Sequence, residues 1–141
     1  MPPEMERDDE VGAVAAAKYF MALYEWAYGT GELELWDQVS GQTCEFCANT
    51  HDAVSGAYLD GARIESTQAQ FSDFALIDID QQLLIYSVRL AYSLPEATHI
   101  DATGATLGTI PAESGTLVVD VVPSARGWVL LDGLVGEQEA P

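Results

Sequence analysis

The residues with the clearest chemical potential are two cysteines that flank a Glu-Phe pair, in Cys44-Glu45-Phe46-Cys47. At the start of a helix, such a pair can form a local disulfide, stay as structural free thiols, act as a redox couple or supply half of a metal site. A redox couple normally follows a strand in a βαβ unit, whereas this motif follows a predicted helix. A zinc site needs four ligands. His51 offers a third, and no fourth is evident, so the spacing alone leaves these alternatives open.

The histidines suggest little further chemistry. His51 stands next to Asp52 and either forms a local pair with it or lies on a helix surface. His99 stands near a predicted hairpin, where exposure is expected. The sequence contains no phosphate-binding loop, nucleophile elbow or EF-hand loop. We therefore predict no cofactor and no metal ion.

The composition restricts the partners. The 141 residues include 23 acidic and 5 basic side chains, which gives a formal net charge of -18 at pH 7. Nucleic acids and anionic membrane surfaces need basic patches, so both are unexpected partners. The length fits one domain, and 48% hydrophobic residues argue against disorder. No apolar run is long enough to predict a transmembrane helix, and the first residues lack a signal-peptide pattern.

The domain is predicted to span residues 9–135, after an acidic linker at residues 1–8 and before a flexible acidic tail at residues 136–141. The linker is expected to follow an upstream segment of the native protein. The central element is the segment VGAVAAAKYFMALYEWAY, residues 11–28, which is apolar on nearly every face. A helix of this kind must be surrounded by other elements. Asp8 or Asp9 is predicted to cap it, and Gly29-Thr30-Gly31, with a glycine free to adopt the left-handed conformation, is predicted to end it after about Tyr28.

Two shorter helices and a series of strands follow. The second helix is predicted at about residues 32–39. The third is predicted to begin with Thr43 as its N-cap and to stop at Asp60-Gly61. From Arg63 the hydrophobic period changes from 3.6 to 2. The strands are predicted at residues 63–79 with a bend near 68–70, and at residues 83–94, 98–102, 106–110, 116–122 and 128–134.

The side chains within these strands are predicted to alternate between two faces. In the first strand, Phe71, Asp73, Ala75, Ile77 and Ile79 are predicted to share one face. In the second strand, the residues predicted to share one face are Leu84, Tyr86, Val88, Leu90, Tyr92 and Leu94. The last two strands are nearly continuous apolar runs, which favours central positions buried on both faces. Helices followed by strands indicate an α+β domain. We predict three N-terminal helices packed into the concave face of a curved antiparallel sheet.

Several segments resemble a known family. They are YFMALYEWAYGTGELELWDQVS, TCEFC, DGARIE and GTIPAESGTLVVDVVPSARGWVLLD. They resemble an uncharacterised actinobacterial family of lipoproteins and secreted proteins, with a nuclear transport factor 2-like cone (SnoaL-like, ketosteroid-isomerase-like). The shared blocks include an aromatic helix, a small turn at residues 28–32, the Cys-x-x-Cys pair and the start of the sheet at residues 61–63, where Ala62 departs from the family pattern.

The resemblance implies an extracytoplasmic location, at the cell surface or secreted, with any membrane attachment supplied by an upstream lipid anchor. Such a compartment is oxidising, which favours a disulfide between Cys44 and Cys47. No activity is known for the family as a whole, so the resemblance implies a fold and a compartment and no reaction.

Relatives with this fold keep a pocket at the open end of the cone. By position, the resemblance implies Tyr24, Tyr28, Tyr86 and Tyr92 as pocket residues, with Trp26 as a further contributor. Core packing with hydroxyls at the rim is the alternative for the tyrosines. Asp73 is the candidate acid-base residue, because desolvation of a carboxylate on an apolar face raises its pKa. The alternative is that a bulge turns Asp73 to solvent.

Three functions are compatible with these residues. The first is a non-catalytic extracytoplasmic domain that binds a small ligand or a protein partner. The second is an isomerase- or hydratase-type enzyme that uses Asp73 in the cone. The third is a structural homodimerisation module with an apolar stripe at Leu83, Ile85 and Ala91 on the outer face of the sheet. The sequence favours the first.

Overall fold

The structure, a computed structural model, describes residues 3–135. It begins with three α-helices, α1 (Glu10–Thr30), α2 (Glu34–Val39) and α3 (Glu45–Ala57). Seven strands follow. They are β1 (Arg63–Ser66), β2 (Gln70–Asp80), β3 (Ile85–Leu94), β4 (Ala97–Ile100), β5 (Thr106–Ile110), β6 (Glu113–Ser124) and β7 (Gly127–Val135). The predicted flexible tail, residues 136–141, lies outside the described residues.

The helix α1 is the central element, as predicted. The side chain of Asp9 caps its first turn by accepting a 3.1 Å hydrogen bond from the backbone N–H of Gly12. Gly31 ends it in the left-handed conformation, with φ 78°, and donates its N–H to the carbonyl of Ala27. Most of the length of α1 is buried in the core. The buried residues are Gly12, Ala13, Ala15, Ala16, Ala17, Phe20, Met21, Leu23 and Ala27.

The segment before α1 is packed against the fold, although the sequence predicted a solvated linker at residues 1–8. Pro3–Glu6 forms a 3-10 turn, and Met5 within it is buried in the core. The indole N–H of Trp128 donates to the carbonyl of Arg7 at 3.1 Å. The acidic side chains are exposed as expected, but one apolar side chain and a backbone acceptor hold this segment in place.

The third helix begins one residue later than predicted. Cys44, rather than Thr43, is the N-cap, and its Sγ accepts a 3.0 Å hydrogen bond from the backbone N–H of Cys47. The helix ends at Ala57, before the predicted stop, and a short 3-10 turn follows at Leu59–Gly61.

The strands form two antiparallel sheets. One has the order β1-β4-β5, and the other has the order β2-β3-β6-β7. The long first strand is interrupted at residues 67–69, where the sequence predicted a bend, so β1 and β2 belong to different sheets. Pro95 and Glu96 separate β3 from β4 in the same way. The predicted hairpin of β4 and β5 is confirmed.

The predicted face of β2 holds at Phe71 and Ile79 and is wrong between them. The pairing of β2 with β3 shifts between Ser72 and Ala75 and again between Leu76 and Asp78. Each shift reverses which side chains face the core. The residues packed on the core are therefore Phe71, Phe74, Leu76 and Ile79, whereas Ala75 and Ile77 are exposed.

Strands β3, β6 and β7 pack on α1 with alternating side chains. Those that point inward are Tyr86, Val88, Leu90 and Tyr92 of β3, Leu117, Val119 and Val121 of β6, and Trp128 and Leu130 of β7. The predicted central position of the last two strands is correct for β6, which lies between β3 and β7, and wrong for β7, which lies at the edge of its sheet. The predicted α+β class, with three N-terminal helices against antiparallel strands, is confirmed. Among residues 3–135, no helix has the length and hydrophobicity to cross a membrane.

Candidate functional site

The main concave site is an open groove of about 890 Å³ beside the C-terminal end of α1. We call it the mouth groove. One wall is the last two turns of α1, and the other is formed by β1, β4 and the loop at residues 67–69. Its lining combines apolar and polar side chains. The lining residues used below are Tyr24, Glu25, Tyr28, Arg63, Glu65, Ser66, Gln68, Ala69, Leu94, Pro95, Ala97, Ile110, Pro111 and Glu113.

The α1 wall of the groove is fixed by a contact with the end of α3. The hydroxyl of Tyr58 donates a 2.6 Å hydrogen bond to the carbonyl of Tyr28. The ring of Tyr58 lies against Gly31, where an added Cβ would come within 2.7 Å of it. Glycine is therefore required at position 31 for two reasons, because the backbone is left-handed there and because the Tyr58 ring leaves no room for a Cβ. On the opposite wall, Nε2 of His99 lies 2.7 Å from the carbonyl of Ala57.

An aromatic cluster forms the inner end of the groove. The ring of Tyr24 stacks on Phe46 with centroids 6.0 Å apart, and it meets Phe71 and Trp36 edge-on. Burial, together with nearby Tyr28 and Glu113, raises the pKa of the Tyr24 hydroxyl well above its usual range. Burial likewise raises the pKa of Tyr28. Both hydroxyls are therefore neutral at physiological pH and can act as hydrogen-bond donors to a bound molecule.

Tyr92 and Glu113 connect the inner end of the groove to the sheet. The Tyr92 hydroxyl donates a 2.7 Å hydrogen bond to Oε2 of Glu113. Burial and the bond to this carboxylate raise the pKa of Tyr92 to about 12. Tyr92, Tyr24 and Glu113 also line a small cavity of about 50 Å³ beneath the groove.

A second open groove of about 530 Å³ adjoins the first. The two share Glu25, Gln68 and Ala69 as lining residues. The Gln68 amide donates a 3.4 Å hydrogen bond to Oε1 of Glu25 at this shared wall. In the second groove, Nζ of Lys18 lies 5.8 Å from the ring centroid of Phe74. This distance is that of a cation–π contact.

The predicted pocket tyrosines occupy three different places. Tyr24 and Tyr28 line the mouth groove, and Tyr92 lies just beneath it. Tyr86 lies at the opposite end of α1, where it packs edge-on against Trp128 and donates to the carbonyl of Asp8. The period of β3 put Tyr86 and Tyr92 on one face correctly, but six residues along a strand span about 20 Å. Only one of the two can therefore reach the groove.

The other two candidates are exposed. Trp26 is 52% exposed and does not line the mouth groove. Asp73 is exposed and adopts the left-handed conformation, with φ 57°, at the first register shift of β2. It lines the second, open groove beside Phe74 rather than a closed apolar pocket. No tyrosine hydroxyl donates to it within the part of the chain that the structure describes.

The cysteine pair forms a disulfide between Cys44 and Cys47, and both residues are buried. The carbonyl of Cys47 accepts a 3.1 Å hydrogen bond from the indole N–H of Trp36, which ties α3 to α2. The disulfide therefore belongs to the helical layer and not to the groove. His51 lies 2.9 Å from Asp37 of α2, and not in a pair with Asp52. Between residues 3 and 135, no group of three metal-ligating side chains is found.

Sequence reasoning missed the polar groups of the groove. Glu25, Gln68 and Glu113 were not singled out, although Glu25 is one of two charged residues inside the apolar helix segment of residues 11–28. A charged residue isolated within an apolar helix segment is the feature of the sequence that could have marked Glu25 as a candidate site residue. No local pattern marked Gln68 or Glu113, because they reach the groove through the loop before β2 and the start of β6.

The fold is similar to several solved structures at low sequence identity. The intermembrane space region of chloroplast protein ARC6 has a TM-score of 0.65 at 15% identity, covering 92% of this chain and 97% of that chain. Aln2 from a Streptomyces species has a TM-score of 0.56 at 13% identity, covering 96% of this chain and 91% of that chain. A protein described as the beta subunit of an aromatic-ring-hydroxylating dioxygenase from Novosphingobium aromaticivorans has a TM-score of 0.57 at 13% identity, covering 87% of this chain and 87% of that chain.

At these identities the structural similarity shows a nuclear transport factor 2-like fold and nothing about activity. No curated protein sequence matches the chain. A family model described as a family of unknown function (DUF6318) matches residues 1–131.

Proposed function

Since the chain belongs to the DUF6318 family of unknown function, we propose a role from its geometry. The proposed role is a non-catalytic binding domain that holds a small ligand, or a short segment of a protein partner, in the mouth groove. The supporting observation is the groove itself, at about 890 Å³. This volume falls within the range of roughly 300–1,000 Å³ that is usual for ligand sites.

The composition of the groove supports binding of an amphipathic molecule. Leu94, Ala97 and Ile110 offer apolar surface, while the neutral hydroxyls of Tyr24 and Tyr28 offer hydrogen bonds that fix orientation. Ligand sites usually combine a largely apolar wall with a few polar groups in this way.

We place the domain outside the cytoplasm, at the cell surface or secreted. The support is the Cys44–Cys47 disulfide, since disulfides persist in oxidising compartments and are rare in the cytosol. The resemblance to actinobacterial lipoproteins agrees with this location. Attachment to a membrane would then depend on a lipid anchor upstream of the residues described.

No contact among the described residues specifically supports either alternative function. An isomerase or hydratase would need Asp73 in a closed apolar pocket, and Asp73 is exposed at a bulge beside an open groove. For a homodimer, Leu83 is 64% exposed, but Ile85 and Ala91 are half-buried, so the predicted stripe is discontinuous. Light scattering at high protein concentration tests the dimer, which predicts twice the monomer mass.

The groove proposal is tested by screening a fragment library against 15N-labelled protein by NMR. Binding fragments are expected to shift the amide signals of groove residues such as Ala69, Ala97 and Ile110. Ser66→Trp, which places an indole at an exposed groove position, is expected to abolish these shifts. Ser55→Trp on the exposed surface of α3 is the matched control and is expected to leave them unchanged. Fragment shifts confined to other surfaces would contradict the proposal.

A further inference from the structure

The charges that line the mouth groove are unbalanced. Arg63 is the only basic residue in its described lining, and its Nη2 lies 2.7 Å from Oε2 of Glu65. These two side chains therefore neutralise each other. The other two carboxylates of the groove, Glu25 and Glu113, have no basic partner within residues 3–135. The groove thus carries two uncompensated negative charges beside aromatic rings.

Glu25 has a buried oxygen atom that no described group satisfies. Its Oε1 accepts a hydrogen bond from Gln68, but its Oε2 is buried and has no hydrogen-bond partner among residues 3–135. A buried polar atom without a partner is costly, and most such atoms in native proteins are paired. The nearest lysine on the same helix, Lys18, extends over Phe74 in the second groove. A donor supplied by a bound molecule would satisfy Oε2.

Glu113 supplies the second carboxylate. Its Oε2 accepts the hydrogen bond from Tyr92, and no hydrogen bond to its Oε1 is formed within the described residues. The bond from Tyr92 fixes the orientation of the carboxylate without neutralising its charge. Glu113 and Tyr24 line the same small cavity beneath the groove, so the two side chains lie close together.

The aromatic and apolar lining suits an organic cation. Tyr24 and Tyr28 lie with ring centroids 4.8 Å apart at one side of the groove, and aromatic faces attract ammonium and guanidinium groups. Leu94, Ile110 and Pro111 can contact an apolar body attached to such a group. The formal net charge of -18 also raises the local concentration of cations around the protein.

We infer that the ligand of the mouth groove carries an ammonium or guanidinium group, bound by Glu25 and Glu113 beside the rings of Tyr24 and Tyr28. Its apolar body packs against Leu94, Ile110 and Pro111. This inference rests on the proposed function and specifies its ligand class.

The test uses three probes with the same apolar body, namely 4-phenylbutylammonium, 4-phenylbutanol and 5-phenylpentanoate. Each is titrated into 15N-labelled protein, and the affinity is read from the amide shifts of Ala69, Ala97 and Ile110. The ammonium is expected to bind about tenfold more tightly than the alcohol, the effect of one charge-assisted hydrogen bond. The carboxylate is expected to bind more weakly than the alcohol. Added salt should weaken ammonium binding and leave alcohol binding unchanged.

The variant Glu25→Gln keeps the size of the side chain and removes its charge. It is expected to bring the ammonium affinity close to that of the alcohol. Glu6→Gln makes the same change of net charge at the other end of α1. It should leave the ratio of ammonium affinity to alcohol affinity unchanged. Glu113→Gln, a second groove variant, should also lower the ratio. The dispersion of the amide spectrum reports whether each variant is folded.

The outcomes separate the two proposals. If all three probes bind the groove equally, or if Glu25→Gln and Glu6→Gln behave alike, the cation inference is overturned and groove binding stands. If only the alcohol and the carboxylate shift the groove signals, the inference is equally overturned. If none of the probes shifts them, the inference fails, and a fragment screen without groove shifts would remove the proposed function as well.

Discussion

The hydroxyl of Tyr92 on β3 lies 2.7 Å from the carboxylate of Glu113 on β6 and donates a hydrogen bond to it. The residue opposite Tyr92 in the ladder is Gly115, where an added Cβ would lie 3.2 Å from this hydroxyl. Gly115 therefore leaves room for the tyrosine to extend along β6 to Glu113. This contact joins the core of the sheet to the charged side of the mouth groove.

The raised pKa of Tyr92 predicts a pH dependence of stability. Its pKa is about 12 in the folded protein and about 10 in an unfolded chain. The folded state therefore holds this proton more tightly, and the free energy of unfolding should fall as pH rises from about 10 to 12. Buried Tyr24 and Tyr28 act in the same direction.

The variant Tyr92→Phe isolates this effect. It should lower the free energy of unfolding by about 1 kcal/mol at pH 7, the typical contribution of one hydrogen bond. It should also reduce the loss of stability above pH 10, as measured by urea unfolding at pH 7, 9 and 11. Glu113→Gln keeps an acceptor but removes the charge, so Tyr92 should titrate closer to its ordinary range. Identical pH profiles for the wild type and Tyr92→Phe would contradict the prediction.

The disulfide should make a modest contribution to stability. It links Cys44 to Cys47, and chain-entropy estimates give about 2 kcal/mol for so short a loop. The double variant Cys44→Ala/Cys47→Ala also loses the sulfur N-cap. It should still fold, but it should unfold at a lower urea concentration than the wild type. Mass spectrometry of alkylated, non-reduced protein provides the direct check. Two free thiols in freshly secreted protein would show that the bond is not formed.

Substitution by alanine should have opposite effects on stability at two glycines of α1. At Gly12, an added Cβ would lie 1.8 Å from the carbonyl oxygen of Arg7, so Gly12→Ala must displace the segment before the helix. At Gly29 no atom lies within 4 Å of the added Cβ. Gly29→Ala should stabilise the protein by up to about 1 kcal/mol through helix propensity. Gly12→Ala should lower the midpoint of thermal unfolding, and equal midpoints for the two variants would refute the close packing.

The backbone at Asp73 predicts tolerance of glycine there. Asp73 has φ 57°, a conformation that glycine adopts without steric cost. Asp73→Gly should therefore leave the free energy of unfolding unchanged or raise it by about 1 kcal/mol. Asp73→Val should lower it, because a β-branched residue is strained at positive φ. Denaturant unfolding of both variants compares them directly, and a more stable valine variant would argue against the bulge.

Some elements were predictable because their signals are local. The apolar segment around α1 could only be a buried helix, and the segment Gly29-Thr30-Gly31 marked its end to within two residues. The alternation of β3 identified its inward face, and the bend between β1 and β2 followed from the length of the strand. Even so, the N-cap of α3 was placed one residue early, because Thr43 is the commoner cap and only the folded backbone presents Cys44 Sγ to Cys47.

The amino-acid sequence by itself determined the α+β class, the central helix and the presence of a cysteine pair able to close a local bond. The tertiary structure decided which side chains share the groove. The first register shift in β2 reversed the face of its side chains and left Asp73 exposed, and the second restored the face at Ile79. Nothing local signals such shifts. The separation of Tyr86 from Tyr92, and the convergence of Glu25, Gln68 and Glu113, depend on how distant segments cross. Periodicity fixes the face on which a side chain lies, whereas its neighbours across the fold are set by packing.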